Sequence, residues 1–220
     1  QEIEGIGTAY GFTAEQSLEA GARMAQLSGL LGESAVPAAT EAAIAFGLIG
    51  EMTPEDAIRK LINLQQQTNF VFKNTTKAVY QQISAQERAE VVTREMANTL
   101  NLLNSIEDNS AATMNNIIAV MNEFASQAHL TGESMEYMAA MSATLIEAGE
   151  QQGKGGRALR MIYARLGSNI NGAADALHEL GVETVNSDGS LRTFSDTMNE
   201  LIPLYQRMNS AQKQQLAQQV

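Results

Sequence analysis

Cysteine and tryptophan are absent from the 220 residues, so neither a disulfide framework nor thiolate chemistry is available. Aromatics make up 5% and prolines number three, which leaves few residues that favour strands or interrupt helices. Basic residues are scarce: 14 Lys and Arg stand against 25 Asp and Glu, a net charge of −11. That balance argues against a generic DNA-binding domain, which needs cations to neutralise phosphates. The most apolar stretch, 35–50, is short and carries Pro37 and Glu41, so no transmembrane helix is expected. Gln1-Glu2-Ile3-Glu4 lacks the charged-then-apolar layout of a signal peptide. No initiating Met is present either, and the chain is expected to be a fragment of a longer one.

What remains is 44% hydrophobic, mostly Ala, Leu and Ile with eleven Met. These are a globular protein's proportions, drawn largely from good helix formers. The expected fold is all-α, a multi-helix array of short glycine-punctuated helices. The length suffices for one domain, or two small ones, with a real core. Charged residues are only 18%, and the polar faces carry Gln, Asn, Ser and Thr. Such faces are solvated, or pack against other subunits without a large charge-desolvation cost.

Residues 1–11 bear glycines and read as a linker or frayed entry, and 12–220 as the helical domain. Thr13-Ala14-Glu15-Gln16 has capping-box spacing, and predicts a helix to Leu31 with Ala14, Leu18, Ala22 and Ala25 on one face, ended by Gly32. An alanine-rich helix is expected over 34–46. Thr53-Pro54-Glu55-Asp56 supplies a cap, Pro at the first helical position and acids in the first turn. Residues 65–94 read as an inserted helical hairpin or a helix extension, with Phe70, Val71, Phe72 and Tyr80 at its base. Ser84-Ala85-Gln86-Glu87 is a second capping box. Ala89, Val92, Met96, Leu100 and Leu103 follow as a seam for one partner helix, read as intramolecular packing rather than a coiled coil. Met114, Ile117, Ile118, Met121, Phe124 and Ala125 form the clearest apolar stripe and are expected at a domain centre. Met135, Met138, Ala139, Ser142, Leu145 and Ile146 form the next. Near the end, Thr193 or Ser195 caps a helix in which Pro203 predicts a kink or a new start, and Ser210 caps the last.

The most informative stretch is 147–192. Gly149, Gly153, Gly155 and Gly156 read as a flexible loop. Ala158, Leu159, Ile162, Tyr163 and Leu166 then recur at helical spacing, with Gly167 as the stop. Ala173, Ala176, Leu177 and Leu180 make a shorter stripe that ends at Gly181. Asn186-Ser187-Asp188-Gly189 reads as a hairpin turn near 183–192. Asp-Gly suits type I′, whose central residues both need positive φ.

This order of pieces resembles the core domain of phage tail tape-measure proteins. The resemblance rests on Gly149, Gly155-Gly156, Ala158-Leu159-Arg160, Leu180-Gly181-Val182, Asp188-Gly189 and the following Arg192. Gly11-Phe12-Thr13 and the alanine helix Ala42-Ala43-Ile44-Ala45-Phe46-Gly47-Leu48 also sit where the family pattern expects them. It covers roughly 9–64 and 95–220 and leaves 65–94 unmatched. It implies a structural tail protein rather than an enzyme: a module of the long protein that sets tail length during assembly and leaves ahead of the DNA at infection. Implied partners are tail tube and tail-tip or baseplate proteins, tail assembly chaperones and further copies of itself, as a trimer or hexamer, with contact at the host envelope and no sequence-specific nucleic acid. The implied location is the virion, in the tail tube lumen or at the tip, after assembly in the host cytoplasm. Gly149, Gly155, Gly156, Leu159, Arg160, Gly181, Asp188 and Gly189 are its structural motif residues. A membrane-active module aiding genome delivery, a helical scaffold or adaptor, and a cell-wall-cleaving enzyme are the competing readings. No motif supports the last of these.

No cofactor or metal is expected. Gly149, Gly153, Lys154 and Gly155 differ from a P-loop in spacing, in lacking Ser or Thr after Lys, and in following a helix. His129 and His178 have no ligand spacing. Ser210-Ala211-Gln212-Lys213 has Ser-x-x-Lys spacing without its companion motifs. Asn74-Thr75-Thr76 is a glycosylation sequon that matters only if the chain is secreted. Lys154, Arg157, Arg160 and Arg165 form the one basic cluster. It reads first as a solvated face, and otherwise as a surface for an acidic neighbour or the preceding helix end.

Overall fold

The computed structural model describes residues 2–149, 153–169 and 172–219. The protein is 79% helical, an all-α fold, as composition implies. Among the described residues, extended pairing is limited to one antiparallel bridge, Val185 to Leu191. The chain forms two compact units, 1–122 and 123–220.

In the first unit, α1 (Glu2–Ala9), α2 (Ala14–Met24), a 3-10 turn and α3 (Ser28–Leu31) lead to α4 (Val36–Ile49) and α5 (Pro54–Thr68). A further 3-10 turn, Phe70–Phe72, and α6 (Lys77–Gln82) lead to α7 (Ala85–Asp108), and α8 (Met114–Leu130) follows. Helix α4 is the centre: α5 and α7 pack on it, and α1 and α2 complete its cover. Its alanines permit that close approach, and Ala39, Ala43, Ile44 and Phe46 are fully buried.

Two capping boxes form as spaced, at Thr13 with Gln16 and at Ser84 with Glu87. Thr53 accepts from the Asp56 amide at 3.2 Å. Residues 2–9 are a helix and not a linker. Ile3 lies over Gly21 of α2, where any Cβ would sit 2.6 Å from its Cδ1. The buried face of α2 is also not the alanine face read from sequence. Ser17, Ala20, Gly21 and Met24 point inward, while Leu18 is exposed. Small residues lie on both faces of this helix, so periodicity alone does not choose between them.

Residues 65–94 comprise the end of α5, the 3-10 turn, α6 and the start of α7. Tyr80 anchors them. It is buried, its hydroxyl donates to the Leu31 carbonyl at 2.7 Å, and its ring meets Phe72 edge-on. Asn74 donates to the buried Glu95 carboxylate through the amide nitrogen that a glycan would need. The α7 seam packs inside the chain, with Val92, Met96 and Leu103 buried. All six residues of the α8 stripe, Met114 through Ala125, are 0–1% exposed.

The second unit holds the end of α8, then α9 (Met135–Glu147), α10 (Lys154–Ser168), α11 (Ala173–Glu179), α12 (Phe194–Arg207) and α13 (Ser210–Gln219). Helix α10 packs on α9 and α11, and α13 packs on α11. Helix α12 starts at the Thr193 cap and runs through Pro203 without restarting. Pro203 is solvent-exposed. The cap of α13 is Asn209, one residue before the Ser expected: its side chain accepts from the Gln212 amide at 3.0 Å, and the Gln212 side chain accepts from the Asn209 amide in return.

Candidate functional site

The motif-bearing stretch begins where α9 ends and α10 opens. Gly149 lies just past α9, and Gly153 is the residue before α10. Gly155 and Gly156 fall in the first turn of α10 rather than in a loop. Residues 150–152, within the expected loop, lie outside the described residues. Gly156 is buried, as are Leu159, Tyr163 and Leu166 on the same face, whereas Ala158 and Arg160 are exposed. Gly167 does not stop the helix. It sits one residue inside the end at Ser168, with left-handed Asn169 as the cap, and a Cβ there would lie 3.1 Å from Leu191 Cδ1. The flexible tip of the half-buried Leu191 lies over it.

Helix α11 ends in a Schellman motif. The Gly181 amide donates to the His178 carbonyl at 2.8 Å, and the Val182 amide to that of Leu177 at 2.9 Å. Val182 and Leu177 are both fully buried, the apolar contact that accompanies such an end. The hairpin turn is not type I′. Positive φ outside glycine falls, among the described residues, at Glu51, Asn69 and Asn169, so Asp188 is not left-handed. Gly189, with φ of 84°, is the left-handed residue of a three-residue loop. Its amide donates to the Asn186 carbonyl at 3.0 Å, and the Asn186 amide to that of Ser190 at 2.8 Å. Asp188 accepts from the Ser190 amide and hydroxyl at 2.9 and 2.6 Å. These bonds, the hydroxyl's first, hold its carboxyl below the usual range. Asp188 thus serves the turn through its side chain instead of its backbone.

Arg192 closes the hairpin onto α12. Its guanidinium forms a two-pronged pair with Glu200 at 2.9 and 2.7 Å and also donates to the Glu183 carbonyl. The pairing raises the Arg192 pKa and lowers that of Glu200.

Periodicity and motif give no sign of Glu133, the residue on which the unit's helix ends converge. It follows the Gly132 end of α8, where its amide donates to the Ala128 carbonyl. Its carboxylate is buried and accepts from the Ser195 amide and hydroxyl, both at 2.9 Å, and from the Tyr163 hydroxyl at 3.4 Å. Ser195 is the second residue of α12, so Glu133 satisfies an otherwise unbonded N–H from 62 residues away. Burial first, then the charge of Glu133, pushes the Tyr163 hydroxyl far above its ordinary pKa. The Tyr163 ring stacks on Phe124 and tilts against Phe194, joining α8, α10 and α12.

This arrangement holds helices together. The adjoining cavity, lined by Tyr163, Gly167, Leu191 and Arg192, has a volume of about 10 Å³, enough for at most one water. None of the eight motif residues lines it. In the first unit, a groove of about 250 Å³ runs between α4 and α7 with Tyr10 at its edge, below the usual range of small-molecule sites. Among the described residues, no group of three or more His, Asp or Glu is placed to hold a metal ion.

The protein family described as phage-related minor tail protein matches residues 1–220. No solved structure matches the chain.

Proposed function

Because the chain belongs to the phage-related minor tail proteins, a structural tail family whose members are virion components, we propose that it is the folded helical module of a tape-measure protein. In this reading the longer parent protein sets tail length while tube subunits polymerise around it, and it leaves ahead of the DNA at infection. The family match over the whole chain carries the proposal. The ordered motif from Gly149 to Arg192 supports it. So does the build of the helices: the longest among the described residues, α7, has 24 residues and spans only about 36 Å. The module therefore adds little length, and a ruler must lie elsewhere in the parent. Tail tube and tail-tip proteins, assembly chaperones and other copies of the chain are its proposed partners, with the tube lumen or tip as its location.

The test is an in-frame duplication of the segment encoding residues 1–220 in the phage that carries it, with tail length read by electron microscopy. A folded module lengthens the tail by far less than the ~330 Å of a continuous helix. Lengthening near that value would overturn the folded-module reading. Absence of the chain from purified virions, read by mass spectrometry, would overturn the tape-measure reading itself.

A membrane-active role is the second reading, and one observation favours it. The bent pair 33–49 and 54–68 is together long and apolar enough to enter a bilayer, although no single helix among the described residues is. Leakage from liposomes on adding the purified chain would support this role, and inertness would count against it.

A further inference from the structure

Helix α4 is apolar on every side. Of its 14 residues only Thr40 and Glu41 have polar side chains, and Thr40 is buried with its hydroxyl bonded to the Val36 carbonyl at 2.8 Å. A helix of that kind is ordinarily covered all round. Here α1, α2, α5 and α7 pack on it and still leave a strip in solvent. Ala38, Ala42 and Ala45 are half-exposed, and Leu48 and Ile49 are 50% and 48% exposed. The three alanines recur at helical spacing and form one row. Thr93, Ala97 and Leu100 form a row of the same spacing on α7. Gly32, before α4, lies beside Arg88 near the start of α7, and Gly50, after α4, lies beside Met114 beyond the end of α7. The two helices therefore run the same way, and their rows bound the groove of about 250 Å³ described above. Among the described residues that line it, Glu41 alone is charged. Its carboxylate accepts from the Tyr10 hydroxyl at 3.4 Å, a long bond. Arg94 of α7 pairs instead with the buried Glu95 at 3.2 Å, so no base lining the groove neutralises Glu41.

We propose that this groove takes a basic amphipathic helix of a different protein, with its apolar side chains laid between the two rows and a Lys or Arg paired with Glu41. The alanines keep the floor low, so a helix with large apolar side chains seats deeply between α4 and α7. Leu48 and Ile49 carry the apolar row beyond the groove at its far end, which suits an occupant longer than the groove itself. Charge complementarity selects the sign. A carboxylate with no base beside it disfavours a nucleic acid or an acidic headgroup, and the net charge of −11 favours a basic partner over a second copy of this chain. The site is built wholly within the first unit and does not depend on the role of the chain in the tail.

The test titrates the purified 220-residue chain with a synthetic peptide and reads alanine methyl resonances by NMR. The probe is a helix of about 14 residues, four turns, with Leu along one face and Lys on its flanks. One control peptide has the same composition in an order that breaks the helical period, and another has Glu in place of Lys. The expected result is that the Lys helix shifts the methyls of Ala38, Ala42, Ala45 and Ala97, and that the Glu helix binds about tenfold more weakly or worse. Glu41→Lys reverses that order. Ala97→Gln fills the groove from an exposed helical position and weakens the Lys helix about tenfold or more. Circular dichroism checks that both variants fold. No shift up to ~1 mM, the weakest contact worth the name, overturns the proposal. So do shifts confined to other methyls, equal binding of the out-of-period peptide, or a preference for Lys that Glu41→Lys leaves unchanged. The same shifts on adding phosphatidylcholine vesicles would make the groove a lipid contact and overturn it too.

Discussion

Two glycines of the second unit are small for different reasons, and alanine separates them. Gly181 has φ of 81°, and a Cβ added there would meet nothing within 4 Å. Gly181→Ala therefore adds backbone strain alone and costs about 1 kcal/mol in urea unfolding. Gly167 has ordinary helical geometry and meets only the tip of Leu191, which is half-buried and able to turn aside. Alanine there gains helix propensity, so Gly167→Ala raises stability by up to about 1 kcal/mol. Glu133 is the residue with most at stake. Glu133→Ala removes the acceptor for the Ser195 amide, the Ser195 hydroxyl and the Tyr163 hydroxyl, and lowers stability by roughly 2–3 kcal/mol. Hydrogen exchange at the Ser195 amide should quicken with it. Unchanged exchange would mean that the bond does not hold the start of α12.

Helix ends are the elements that side chains specify most directly. Asn209 caps α13 in the structure, not Ser210. Asn209→Ala is expected to lower amide protection across 210–219, at a cost of about 1 kcal/mol of local helix stability, while Ser210→Ala leaves it unchanged. The tie between the hairpin and α12 is electrostatic and depends on pH. Hydrogen bonds from Arg192 first, and its charge second, hold the Glu200 carboxyl below the ordinary range. A lowered folded pKa stabilises fully above the unfolded Glu value of about 4.3 and is lost as pH falls through the folded value. Carbon-13 titration of Glu200 checks the sign: Arg192→Gln should raise its midpoint toward that of an unpaired Glu.

At the scale of the whole molecule, the purified chain should read as about four-fifths helix by circular dichroism, as its structure does. A largely disordered spectrum would mean that the helices need an assembly to form. Solubility should be lowest near pH 4.6, the isoelectric point, where the repulsion from a net charge of −11 vanishes. Family membership makes the molecule a structural tail component.

The helices themselves were legible from sequence wherever local chemistry decides. Thr13, Thr53 and Ser84 cap as their spacing implies, and of Thr193 and Ser195 it is Thr193 that caps, because a cap bonds within its own turn. The stripe Met114 to Ala125 is buried because large apolar residues lie on one face only. Which face turns inward was not legible where both faces are small: α2 buries Ser17 and Gly21 and leaves Leu18 in solvent. Nor was the helical state of residues 2–9, which draws on Ile3 reaching across to Gly21. Asp-Gly announced a turn, but the turn type followed from the pairing of Val185 with Leu191 and of Asn186 with Ser190. The tie that Glu133 makes to α10 and α12 carries no local signal, because Tyr163 and Ser195 lie 30 and 62 residues along the chain. Sequence alone determined caps such as Thr13, Thr53 and Ser84, which bond within their own turn; the fold decided the bonds whose partners only packing brings together, as at Glu133.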